Sequence, residues 1–146
     1  MDKYDCLRLE NQLCFPLYVA SKEVIRKYKP ILDELDLTYT QYIAMMVIWE
    51  SKKIKVTELA KKLYLDTGTI SPLIRKLNGK NYIKIHRDVE DERVQIIEIT
   101  ESGMDLREKA VSVPMKMMES KCINLNKEEA IELKRLLDKM NGVENE

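Results

Sequence analysis

The sequence has a single histidine, only three cysteines, no surplus of either charge and no apolar run of bilayer length in its 146 residues. Each shortage excludes something. One histidine, His86, without ligand-spaced partners argues against a metal site and reads better as a phosphate-facing residue. No cofactor motif accompanies it. An odd number of cysteines reads as free thiols rather than as a disulfide framework. The N-terminal stretch MDKYDCLRLENQ carries acids and lacks the apolar centre of a secretory signal, so a soluble, cytoplasmic protein with no membrane contact is expected. Phosphate-binding glycine loops, paired-carboxylate motifs and serine–histidine arrangements are also missing, and an enzyme is not expected. Internal repeats and flexible linkers are lacking too, which leaves one domain over residues 1–146.

Lys+Arg and Asp+Glu each total 25, so overall charge attracts no polyanion, and any nucleic-acid site must be a local patch. One such patch is present. From Thr67 to Arg87 the basic residues are Arg75, Lys76, Lys80, Lys84 and Arg87, and no Asp or Glu interrupts them.

Apolar spacing predicts a first long helix from Leu9 to Tyr28, through Leu13, Leu17, Ala20, Val24 and Ile25, with Pro30 as its stop. A second, from about Thr40 to Glu50, is apolar nearly all round and so central and buried. Thr57 is positioned to cap a short helix ending at Leu63, Tyr64 to Asp66 form a turn, and another helix runs from Thr67 to Leu77. Two β-rich runs, Tyr82 to Arg87 and Val94 to Ile99, flank the charged tip Asp88 to Arg93 and predict a hairpin. Thr100 and Ser102 open a further helical region interrupted near Pro114, and a final helix covers Lys127 to Met140. The methionines and Trp49 fall on these helices and read as core packing. The fold class expected is mainly α with a small β-hairpin wing, a winged helix-turn-helix.

The helix from Thr67 to Leu77 divides into two faces. Ile70, Leu73, Ile74 and Leu77 point inward. Thr67, Thr69, Ser71 and Arg75 remain for base edges and phosphates, with Lys76 beside them and Gly68 allowing close backbone approach at the helix start. Pro72 predicts a late start or a bend. In the hairpin, Arg93 suits a narrow minor groove with Asp91 as its brace, and Arg87 adds charge. Any one of these charges alone is equally well a solvated surface residue; the order of elements and the acid-free patch favour double-stranded DNA for the set.

The runs VTELAKKLYLDTGTISPLIRKL and IHRDVEDERVQIIEIT resemble the MarR family of winged-helix regulators, whose wing signature is matched by Asp91-Glu92-Arg93. ENQLCF, YKPIL, LTYTQY and LYLDTGT resemble, within that family, the branch of repressors that sense organic hydroperoxides. The resemblance covers essentially the whole chain. It implies a homodimer on a palindromic operator, with residues 1–40 and 101–146 as dimerisation helices and 41–100 as the DNA-binding lobe. It further implies that Cys14 reacts with peroxide and that Tyr28 and Tyr39 of the other subunit bond its sulfur. Taken alone, Cys14 on an apolar helix face reads as a small buried hydrophobe. The oxidation implied runs from thiolate to sulfenic acid to disulfide. Cys122 is the resolving candidate, with a small external thiol or Cys6 as alternatives. Pro16 departs from the branch pattern; in a first helical turn it would leave amides directed at Cys14. Two other functions stay open: a regulator of the same fold that binds small phenolic or lipophilic molecules, and a thiol peroxidase.

Overall fold

A computed structural model describes residues 2–144. The elements in chain order are α1 (Cys14–Asp33), α2 (Tyr39–Ser51), β1 (Lys53–Lys55), α3 (Val56–Lys62), α4 (Thr67–Gly79), β2 (Ile83–Arg87), β3 (Gln95–Ile99), α5 (Glu101–Ala110), α6 (Val113–Glu119) and α7 (Lys127–Met140). Helix α2 is the centre. A capping box starts it: Thr38 Oγ1 accepts from the Gln41 amide while Gln41 Oε1 accepts from the Thr38 amide. From there Ala44, Met45 and Ile48 pack in full burial against Leu59 of α3, Ile70 and Leu77 of α4, and the sheet residues Ile83 and Ile97. The sheet is antiparallel in the order β1-β3-β2, with Ile54 opposite Ile97 and Ile83 opposite Ile99, so that the isoleucines share the inner face.

Several sequence expectations need correction. Helix α1 begins at Cys14, because the side-chain amides of Asn11 and Gln12 donate to backbone oxygens of Asp5 and Cys6 and hold residues 5–12 in short 3₁₀ turns. Pro30 does not stop it. The helix continues to Asp33, and burial of Leu32 offsets the hydrogen bond that the proline cannot donate to Arg26. Thr57 caps nothing: α3 starts at Val56, which is pinned in the core directly after β1. Strand β1 has no counterpart in the sequence reading, since Lys-Ile-Lys is too short to show a period. Helix α4 begins at Thr67 despite Pro72, so the late start is overturned. Core packing explains Met45 and Met117 but not Met46, Met115, Met118 and Met140, which lie exposed on this chain. Pro114 itself falls in the first turn of α6, where proline is tolerated.

Gly103 of α5 makes two close contacts: its carbonyl accepts from Trp49 Nε1 of α2 at 2.9 Å, and it lies so close to the residue before β2 that an added Cβ would collide with the Tyr82 carbonyl oxygen and sit 2.8 Å from Ile99 Cγ1. Gly103→Ala is therefore expected to destabilise the fold by about 1–3 kcal/mol through overpacking against backbone. Urea unfolding at fixed protomer concentration checks this, and an unchanged midpoint would refute the close approach.

Candidate nucleic-acid interface and thiol site

Helices α3 and α4 are joined by a turn in which Tyr64 takes a left-handed conformation (φ 56°) and Leu65 N donates to the Ala60 carbonyl at 3.0 Å. Asp66, not singled out from sequence, closes the start of α4: its Oδ1 accepts from the Thr69 amide at 2.7 Å. Hydrogen bonds from Thr69 hold its carboxyl below the ordinary carboxylate range, so the cap is intact at neutral pH. An Asp directly before Thr-Gly-Thr is the signal that would have identified it.

With about 100° per residue, burial of Ile70, Leu73, Ile74 and Leu77 turns Gly68, Pro72, Arg75 and Gly79 to the middle of the outer face. The two glycines and the proline leave that face low, so another surface can approach the backbone closely. Thr67, Thr69, Arg75 and Lys76 are exposed along it. Ser71 differs: its hydroxyl donates to the Thr67 carbonyl at 2.8 Å and is left as an acceptor.

The basic patch shrinks in three dimensions. Lys80 turns inward to the loop between α1 and α2. Lys84 lies opposite Glu98 in the strand register, and His86 Nε2 stands 3.2 Å from the same carboxylate, so His86 is engaged within the hairpin rather than facing phosphate. Glu98, on the neighbouring strand, lies outside the acid-free stretch that the linear sequence displays. Arg87 bridges the hairpin to the Glu92 carbonyl at 2.7 Å. At the tip Asp91 accepts from the Arg93 backbone and guanidinium, with Nε to Oδ1 at 3.1 Å and Nη2 to Oδ2 at 3.3 Å. The guanidinium beside it holds the Asp91 carboxyl low, and the Arg93 side chain still has 90% of its surface open. The pair is thus an arginine braced at its root and free at its end.

The thiol residues occupy two separate places. Cys14 is the exposed first residue of α1, and Pro16 falls in its first turn, where a missing N–H costs no helical bond. Tyr28 lies 14 residues along the same helix, about 21 Å away at the helical rise. Its ring meets Tyr39 at 5.0 Å and Tyr42 at 5.8 Å between centroids, and Tyr42 in turn meets Trp49 at 6.5 Å. Burial, then Tyr39 and Cys122, push the Tyr28 hydroxyl above its ordinary value, which keeps it a donor at neutral pH. Cys122 is therefore near Tyr28, at the far end of α1 from Cys14. Its sulfur is in hydrogen-bond contact with Ser120 Oγ, and its carbonyl accepts from Lys27 Nζ at 3.1 Å. Cys6 lies exposed in the first 3₁₀ turn. Among the described residues no group of three or more His, Cys, Asp or Glu is arranged to hold a metal ion, and no helix is long and apolar enough to cross a membrane.

A family model for SarA/Rot transcriptional regulators matches residues 26–110. The organic hydroperoxide resistance transcriptional regulator of Bacillus subtilis is 41% identical over 135 residues, which cover 92% of this chain and 88% of that protein. This chain is a MarR-family winged-helix transcriptional regulator of the organic hydroperoxide branch. It is also 40% identical over 129 residues to the regulator SarZ of Staphylococcus saprophyticus, covering 88% of this chain and 87% of that one. Among solved structures, reduced AbfR bound to DNA superposes on 97% of this regulator and 95% of that chain, with TM-score 0.79 and 27% identity. An Escherichia coli MarR variant complexed with operator DNA shares the fold, with TM-score 0.82 and 22% identity over 96% of this chain and 99% of that one.

Removing the braced wing arginine is expected to weaken operator affinity and to flatten the salt dependence by about 0.9 in log K against log salt, the loss of one phosphate-type contact. Fluorescence anisotropy of Arg93→Ala over a salt series checks this; identical curves would dismiss the wing contact.

Proposed function

We propose that this regulator is a homodimeric, cytoplasmic repressor that holds a palindromic operator in double-stranded DNA and releases it when an organic hydroperoxide oxidises Cys14. The observation that carries the reading is the separation of about 21 Å along α1 between Cys14 and Tyr28. The resemblance pairs Cys14 with Tyr28 and Tyr39, and since a rigid helix cannot fold back to join its own ends, that pairing requires a second copy. Surplus apolar surface supports the dimer. Phe15 and Tyr18 on α1, Met115 and Met118 on α6, and Ile131, Leu136 and Met140 on α7 are exposed, and none of the described residues of α7 is buried. Residues 1–40 and 101–146 thus form the dimerisation part, and 41–100 the lobe that reads DNA.

In each copy α4 offers Thr67, Gly68, Thr69, Ser71, Arg75 and Lys76 to the major groove, while Arg87, Asp91 and Arg93 serve the wing. The Cys14 thiolate attacks one oxygen of the hydroperoxide, the O–O bond breaks, the alcohol leaves after taking a proton, and sulfenic acid remains. A second thiol then attacks that sulfur, expelling water and forming a disulfide. Cys122 is suited to this step because it lies near Tyr28, where the partner's Cys14 would dock; a small thiol is the substitute. No turnover is needed, so the protein acts as a stoichiometric sensor and not as an enzyme. The competing ligand reading rests on a cleft of about 230 Å³ lined by Ile25, Leu32, Leu37 and Tyr39. Its volume falls below the roughly 300–1,000 Å³ of ordinary small-molecule sites, and the larger depression of about 500 Å³, lined by Arg8, Leu9, Glu10 and Phe15, lies at the N-terminal end of the chain, away from the α2–α4 contact.

Titration of the operator complex with a stoichiometric organic hydroperoxide should lower the affinity of wild type by about 5–150-fold, the usual span of coupling between two sites. Cys14→Ser should stay bound. Equal release of both proteins excludes oxidation of Cys14 as the signal. Non-reducing mass spectrometry of the released protein should show a covalent dimer through Cys14 and Cys122 or a mass gain of one small thiol.

A further inference from the structure

Lys80 follows the last residue of α4 and belongs to the basic patch in the linear sequence, yet its side chain is only 28% exposed. Its ammonium contacts three oxygens of one segment: the Asp36 carbonyl, Asp36 Oδ2 at 3.4 Å and Gln41 Oε1 at 3.2 Å. That segment is unusual. Asp36 holds a left-handed backbone (φ 54°) at the end of α1, where the Leu37 amide donates back to the Leu32 carbonyl at 3.1 Å. Gln41, 4% exposed, is the buried polar residue of the core among the described residues, and the oxygen that receives Lys80 also accepts from the Thr38 amide in the capping box of α2. Tyr39 lies between these two anchors. A tyrosine of the proposed thiol site, Tyr39 at the start of α2, thus lies within the segment that Lys80 grips, and the other end of the grip is the C-terminus of the reading helix.

No other side-chain hydrogen bond or ion pair joins residues 34–41 to α4 or its cap among the described residues. Coupling between distant sites needs a physical element that both ends bias. We infer that Lys80 is a positioning residue that transmits displacement of Tyr39 to α4, coupling the oxidation state of Cys14 to the angle of the recognition helix. This rests on the oxidation reading above. Three oxygens around one ammonium fix the loop against the helix end. When the docked thiol changes, movement of Tyr39 shifts Asp36 and Gln41 together, and α4 is carried with them. Lys80 makes no contact with DNA in this scheme; its charge is spent inside the protein.

The test is Lys80→Met, which keeps the apolar stem and removes the ammonium, with Lys80→Arg as a second variant that keeps the charge but replaces its three-oxygen geometry with a planar fork. Operator affinity is measured for reduced and hydroperoxide-treated protein over a salt series, with wild type alongside. For both variants reduced affinity should stay within about threefold of wild type with an unchanged salt slope, while the ratio of reduced to oxidised affinity falls by about 2–30-fold. A variant ratio equal to that of a responsive wild type overturns the inference and leaves the oxidation reading standing. Weaker reduced binding of Lys80→Met with a shallower salt slope also overturns it, because Lys80 would then be a phosphate contact. Wild type that does not respond to oxidation removes the signal and overturns both.

Discussion

The stiffness of α1 is the constraint from which the functional reading follows. Twenty residues of helix from Cys14 to Asp33 form a rod that fixes a thiol at one end and a tyrosine cluster toward the other. The side chains on it can rearrange, but the ends cannot meet. A signal that needs both ends must therefore be assembled from two copies, and the exposed apolar residues of α1, α6 and α7 supply the surface for that assembly. Dimerisation is then more than a device for matching a palindrome. On the proposed function it completes the chemical site, so that one interface would both create the sensor and set the spacing of the two reading heads.

Helix α2 converts that arrangement into something DNA can register. Its inner face, from Gln41 and Tyr42 through Ala44, Met45 and Ile48 to Trp49, is buried, while Thr40, Met46 and Glu50 face outward; that inner face cannot shift without moving its neighbours, since interiors are close-packed and transmit strain. Its first turn carries Tyr39 and Gln41, the next turn adds Tyr42, and Trp49 near its end bonds to Gly103 at the start of α5. Gly103 in turn abuts Tyr82 at the root of the hairpin. The aromatic chain from Tyr28 to Trp49 thus spans the lobe from the thiol site to the base of the wing. Lys80 adds a shorter link from the beginning of α2 to the end of α4.

Much of this was legible in the sequence because helix periods survive folding. The bounds of α7 agree residue for residue with the reading from apolar spacing, and α2 differs by one residue at each end. The hairpin was visible through its β-branched runs. What escaped depends on partners distant in the chain. The three residues of β1 become a strand only through pairing with residues 96–98 of β3, more than forty positions later. Pro30 looked like a stop because local rules do not contain the burial of Leu32. His86 and Lys84 looked available to phosphate because Glu98 stands beyond the acid-free run and returns beside them only in the folded hairpin. Lys80 is the same case with larger consequences, for its direction is set by Asp36 and Gln41 of another segment. In the thiol site the residues carry their own signature; their division between two subunits is what the resemblance implies, and the helical rise from Cys14 to Tyr28 agrees with it.

Charge explains why such a linkage can suffice. With 25 basic and 25 acidic residues the protein has no general electrostatic hold on DNA, and binding depends on the few cations that α4 and the wing present. A strongly basic protein displaced from its site remains on neighbouring duplex through counterion release. Here the structure has already withdrawn Lys80, set Glu98 opposite Lys84 and against His86, and surrounded the wing tip with Asp88, Glu90, Asp91 and Glu92. Loss of a few contacts, each worth about 1–3 kcal/mol when it reads a base, therefore leaves little to retain the protein. On the proposed function a small rotation of the reading heads would then leave few other contacts to hold the protein on DNA.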